Sequence, residues 1–102
     1  MDIKFSNKAD TLYIYLYGEI DECSSNTAKE LLDKIILDYI NCKKFVFDFS
    51  GVTFMDSTGV GLLIGRYKKL KQNNISAYIS GSSYPAEKVL QLSGLYTIMP
   101  KC

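Results

Sequence analysis

Val52-Thr53-Phe54-Met55-Asp56-Ser57-Thr58-Gly59-Val60-Gly61-Leu62-Leu63-Ile64-Gly65-Arg66-Tyr67 is the run from which the rest of the chain can be read. An apolar strand pattern halts at a small polar cluster, and apolar spacing of helical period begins directly behind it. Ser57 therefore reads as the N-cap of a helix, with Asp56 beside it. Both residue types accept a hydrogen bond from a free N–H of the first turn. Gly59, Gly61 and Gly65 oppose the helix, because each glycine costs about 1 kcal/mol against alanine. Gly61 and Gly65 lie four apart on one face and predict a helix seated closely on a sheet. Gly59, in the first turn, leaves room for a partner or an anion.

Upstream, Lys44 to Ser50 alternates as a strand, with Phe45, Phe47 and Phe49 on one face and Val46, Asp48 and Ser50 on the other. Ala28, Leu31, Leu32, Ile35, Ile36, Tyr39 and Ile40 form one helical stripe before it. Thr27 and Glu30 have capping-box spacing at its start. Lys43 and Lys44 fall where cations meet a helix C-terminus. Gly18 to Asn26 is a polar connection in which Asp21 and Glu22 place negative charge. Thr11 to Tyr17 alternates strictly, and the row Tyr13, Tyr15 and Tyr17 is expected beneath a helix with its hydroxyls reaching water. Ile3 and Phe5 supply a hairpin partner.

Downstream, Val60, Leu63, Ile64, Tyr67 and Leu70 make the buried stripe of the second helix, leaving Arg66, Lys68, Lys69 and Lys71 on a solvated face. Asn73 and Asn74 end it. Ile75 to Ile79 is a short strand and Ser80 to Ser83 a flexible loop. Pro85 suits the first turn of a third helix carrying Ala86, Val89 and Leu90, with Gly94 at its C-terminal end. Tyr96 to Met99 is expected as an edge strand. The order β-β-α-β-α-β-α-β defines an α/β class: one domain over residues 1–102, with a mixed sheet of four to five strands packed with helices.

Composition narrows the chemistry. The chain has 102 residues, 47% hydrophobic and 23% charged, as in an ordinary soluble domain. A net charge of +1 gives no electrostatic case for nucleic acid or an anionic membrane. No apolar run has the length of a bilayer span, and Met1-Asp2-Ile3-Lys4 lacks a signal-peptide layout, so the expected location is the cytoplasm. Cys23, Cys42 and Cys102 have no C-x-x-C spacing and read as free thiols rather than a zinc site. Histidine is absent, which removes the commonest general base and metal ligand. Asp48-Phe49-Ser50-Gly51-Val52 falls short of the D-x-D-x-T of haloacid-dehalogenase-like phosphatases, because its second aspartate is Ser50. No G-x-x-x-x-G-K is present for a nucleotide. No catalytic residue, metal or cofactor is assigned.

The extended block Phe54-Met55-Asp56-Ser57-Thr58-Gly59-Val60-Gly61 with Gly65-Arg66-Tyr67-Lys68 resembles the STAS family. So, in order, do Gly18-Glu19-Ile20-Asp21 and Ser93-Gly94-Leu95. Within that family the chain is similar to the anti-sigma factor antagonists, and nearest to the sporulation type that acts on an anti-sigma-F factor. The resemblance implies the STAS fold and a regulator that is not an enzyme. It implies that Ser57 is phosphorylated by an anti-sigma factor serine kinase, that the unphosphorylated form binds this kinase and frees a sigma factor, and that a serine phosphatase resets it. Asp21, Asp56, Ser57, Thr58, Gly59 and Gly61 are the implied partner-binding residues, on a protein expected to be a monomer when free. The alternative within the family is a STAS scaffold subunit of a stress or lipid-transport complex in which Ser57 is not modified. Glu22 to Asn26 is longer than the matching loop of the sporulation type, and the chain stops before the family's last helix.

Overall fold

In the computed structural model, which describes residues 1–102, the alternation of Thr11–Ile20 sends Leu12, Ile14 and Leu16 into the core at 2% exposure or less. This strand, β2, pairs antiparallel with β1 (Asp2–Lys8) and parallel with β3 (Lys44–Met55). β4 (Ser76–Ser82) lies parallel on the far side of β3, giving one mixed four-stranded sheet of order β1-β2-β3-β4. The parallel neighbours are joined through helices: α1 (Glu22–Asp38) between β2 and β3, and α2 (Ser57–Gln72) between β3 and β4. α3 (Tyr84–Leu92) and the single turn α4 (Leu95–Ile98) complete the chain. Phe45, Phe47 and Phe49 are fully buried against Leu32 and Ile36 of α1, Leu63 and Leu70 of α2, and Leu90 of α3, within one core of 23 residues. Apolar burial of this extent is the main stabilising term of such a domain.

Several expectations shift. α1 starts five residues earlier than the Thr27 cap, at Glu22, because Asp21 is its N-cap. The Asp21 side chain accepts from Ser24 N at 3.0 Å, and Ser24 Oγ accepts from Asp21 N at 3.0 Å. Serine replaces the usual glutamate in this reciprocal box, so Asp21 is a structural cap as well as a local charge. Leu31 lies off the buried stripe, 44% exposed. No basic residue occupies the last turn of α1; the N–H groups of Lys43 and Lys44 bond the carbonyl of Asp10 instead. β3 runs through Gly51 to Met55 because register shifts opposite Tyr17 and Glu19 let the ladder resume.

The tyrosine row is not beneath a helix. Tyr13 and Tyr15, with Val46 and Tyr78, occupy the sheet face away from the core, where Lys8 and Lys44 stand 6.0 and 5.8 Å from the ring centres of Tyr13 and Tyr78. Lysine stems over aromatic rings keep that face wet without a covering element. Arg66 is buried rather than solvated, at 5% exposure, and meets Asp33 of α1.

Ser80 to Ser82 continue β4 instead of looping, and Ser83 caps α3 by accepting from Ala86 N at 3.3 Å. Gly94 takes the left-handed conformation (φ 75°) just beyond α3, as its C-terminal position predicts. The expected edge strand over Tyr96 to Met99 is mostly α4. Residues 100–102 pair with Ile79 on the outer edge of β4 in its place. The apolar run is the same, but the left-handed turn at Gly94 restarts a helical turn and delays the extended segment.

Glu87 ties this end together. Its carboxylate accepts from the hydroxyl of Ser82, from Tyr96 OH at 2.6 Å, from Lys101 Nζ at 3.1 Å and from Gln91 Nε2 at 2.9 Å. The Ser82 hydroxyl first, and then that of Tyr96, hold it down from its ordinary 4.5 to about 2. A depressed folded-state value means that the contribution is complete above pH 4.5 and is lost as pH falls towards 2. Glu87→Gln is expected to flatten this part of the acid limb when urea midpoints are measured across that window. An unchanged acid limb would contradict the assignment.

Candidate functional site

Ile20 and Met55 are register partners at the C-terminal ends of two neighbouring parallel strands. The residues that follow, Asp21 and Asp56, are the N-caps of α1 and α2. Two helix N-termini therefore open side by side, linked by Asp56 N to the Ile20 carbonyl at 3.4 Å. Ligands and partners of open α/β sheets gather at such strand ends, where unpaired N–H groups and helix dipoles favour negative charge.

Ser57 is not the cap. Asp56 Oδ1 accepts from Thr58 N at 2.9 Å and from Gly59 N at 3.4 Å, while Ser57 stands one residue inside, at N1, exposed to solvent. Aspartate and serine cap about equally well in isolation, so local propensity alone does not choose between the two neighbours. The ladder of β3 chooses, because it holds Asp56 extended at the strand end. As a result the duties divide: Asp56 organises the backbone, and the Ser57 hydroxyl has no part in it. Asp56→Ala is expected to cost about 1 kcal/mol of unfolding free energy, and Asp56→Ser much less, when measured by urea denaturation.

The glycines also trade roles. A Cβ at Gly59 would meet Ile20 Cγ2 at 2.8 Å, Met55 Cγ at 3.2 Å and the Ile20 carbonyl oxygen at 3.3 Å, so the buried Gly59 is where α2 sits tightly on the sheet. Its assignment as a partner contact is thereby corrected, since it faces inward. Gly61 and Gly65 have nothing within 4 Å of such an atom, so close seating on the sheet does not explain them. Both line an open groove between α1 and α2 together with Ser25, Asn26, Lys29 and Thr58. Of the expected contact residues, Ser57 and Gly61 are exposed and Asp21, Asp56 and Thr58 are half-buried; Asp21 and Asp56 are the caps of α1 and α2, Ser57 and Thr58 lie in the first turn of α2, and Gly61 lies one turn beyond Ser57. Arg66 was missed because its basic neighbours suggested a charged outer face. The available signal was Asp33 on α1, an acid available to pair with it.

The STAS domain family model matches residues 2–102, and the chain belongs to this family. An anti-sigma F factor antagonist of Paenibacillus polymyxa is 30% identical over 98% of this chain and 85% of its own length. An anti-sigma-B factor antagonist of Staphylococcus aureus is 32% identical over 80% of this chain and 74% of its own length. Among solved structures, the anti-sigma factor antagonist SpoIIAA in its unphosphorylated form is 26% identical with a TM-score of 0.79, over 99% of this chain and 88% of that one. The Bacillus cell fate determinant SpoIIAA in its phosphorylated form is 26% identical with a TM-score of 0.71, over 99% and 91%. The family's regulators of this kind are not enzymes.

Proposed function

We propose that this protein is a cytoplasmic anti-sigma factor antagonist, that its partner is an anti-sigma factor serine kinase, and that Ser57 is the residue this kinase phosphorylates. The observation that carries the proposal is the division of labour at the start of α2, where Asp56 alone makes the cap and Ser57 stands exposed beside it. Unphosphorylated, the surface around Ser57, Thr58 and Gly61 packs against the kinase, with Asp21 and Asp56 half-exposed beside it. The sigma factor held by the kinase is thereby released. A phosphoryl group on Ser57 adds a charge of about −1.5 to −2 and three acceptor oxygens. The dipole of α2 and the exposure of Ser57 tolerate that charge in the isolated protein. Inside an interface the same group must be desolvated and accommodated, so binding is lost while the fold survives. A serine phosphatase returns the protein to its binding form.

The test is a calorimetric titration of the unmodified and the Ser57-phosphorylated protein into a cognate anti-sigma factor kinase. Binding by the first and loss of it by the second is the expected result. Absence of binding by the unmodified protein would replace this function with the constitutive scaffold.

A further inference from the structure

β1 is an uncovered edge of the sheet. Every second residue of an edge strand turns its N–H and C=O away from the neighbouring strand, where a further strand can pair with them. On β4, the opposite edge, that row is occupied in its middle: Ile79 N donates to the Pro100 carbonyl and the Ile79 carbonyl accepts from Cys102 N, each at 3.0 Å. Along β1 nothing plays this part, since no backbone group of Asp2–Lys8 bonds anything beyond the ladder with β2. Phe5 is 46% exposed on the helix side of this strand, its ring 5.6 Å from that of Tyr39. Asp2, Lys4, Ser6 and Lys8 alternate with it on the other face, opposite Tyr17, Tyr15, Tyr13 and Thr11 of β2.

An edge that carries lysines resists pairing, because like charges directly opposite repel. The sequence of β1 avoids this in one register. When the strand is laid antiparallel on itself with Phe5 opposite Phe5, Asp2 falls opposite Lys8, Lys4 opposite Ser6 and Ile3 opposite Asn7, each pair occurring twice. A slip of one residue puts partners on opposite faces, and a slip of two in either direction sets lysine against lysine. We infer that β1 pairs with β1 of a second copy in this register, joining two four-stranded sheets into one of eight strands about a two-fold axis at Phe5. Association depends on concentration, since each added hydrogen bond replaces one to water and both charge pairs are solvent-exposed. It stops at the dimer, because Pro100–Cys102 occupy the β4 edge. Ser57 follows β3, two strands from the seam, so each copy keeps that surface free and the two surfaces stand at opposite ends of the joint sheet. The dimer is independent of the function proposed above and replaces the monomer that the family resemblance implies.

Sedimentation velocity over a concentration series tests it, with the charge pair as the probe of register. Wild type is expected to pass from monomer to dimer as concentration rises. Asp2→Lys and Lys8→Asp each set like charges opposite one another twice, and each is expected to raise the dimer dissociation constant about tenfold. Asp2→Lys/Lys8→Asp restores both pairs with their signs exchanged and is expected to return to within about threefold of wild type. All three variants are expected to melt as wild type, because both positions are exposed. A wild type that stays monomeric throughout the series, or single reversals that leave the dimer as tight as before, would overturn the pairing. So would a double variant no tighter than the single ones.

Discussion

Ser57→Asp is expected to weaken binding to the anti-sigma factor kinase by about a hundredfold or more, while the melting temperature holds or rises slightly. A hundredfold corresponds to roughly 2.7 kcal/mol, which is within the cost of leaving one unpaired charge in an interface. The free protein has no such cost, because Ser57 is exposed and makes no contribution to the cap of α2. A carboxylate in the first turn gains about 0.3–1 kcal/mol from the helix dipole. Binding and stability therefore move apart. Calorimetric titration beside a thermal melt reads both. Parallel losses in the two would mean that Ser57 supports the fold and that the separation of cap from switch is wrong.

Leu32→Asp is expected to leave the chain largely unfolded at 25 °C. Leu32 is fully buried on α1 between the helices and the sheet. The substitution removes a leucine from the core and places there an ionisable group with no partner, a combination that exceeds about 4 kcal/mol. Domains of this size hold about 5–15 kcal/mol in total. Leu31→Asp, one residue away and 44% exposed, is expected to stay within about 1 kcal/mol of wild type. Far-UV circular dichroism and urea denaturation of the pair measure the difference. Equal effects at both positions would contradict the assigned face of α1.

That pair also marks how far periodicity carries. The apolar stripe of α1 announces the helix and most of its buried positions, yet a leucine on its margin reads the same whether or not a sheet reaches it. Strand alternation was clearer: Leu12, Ile14 and Leu16, and Phe45, Phe47 and Phe49, all fall on the core face as expected. The opposite face was not legible. The row of Tyr13, Tyr15 and Tyr17 suggests cover by a helix, and only the strand pairing brings Lys4 over Tyr17, Lys8 over Tyr13 and Lys44 over the neighbouring Tyr78 instead.

Element ends followed the same logic. Asp21 with Ser24 and Asp56 with Thr58 are caps that depend on where a strand releases the chain, which is a property of the ladder and not of the capping residue. The candidate site was legible as a stretch before its parts were. Asp56, Ser57, Thr58 and Gly61 read as one cluster, but the sequence places the cap on Ser57 where the fold places it on Asp56. The spacing of Gly61 and Gly65 predicts close seating on the sheet, but sequence spacing does not reveal which side of a helix meets it. Gly59 packs and Gly61 is open.

The measurement that tests the central claim most directly is intact-mass spectrometry of the protein after incubation with a cognate anti-sigma factor kinase and ATP, beside Ser57→Ala. One added phosphate on wild type and none on the variant is the predicted result. Phosphate on both, or on neither while the kinase modifies another antagonist in the same assay, would contradict it.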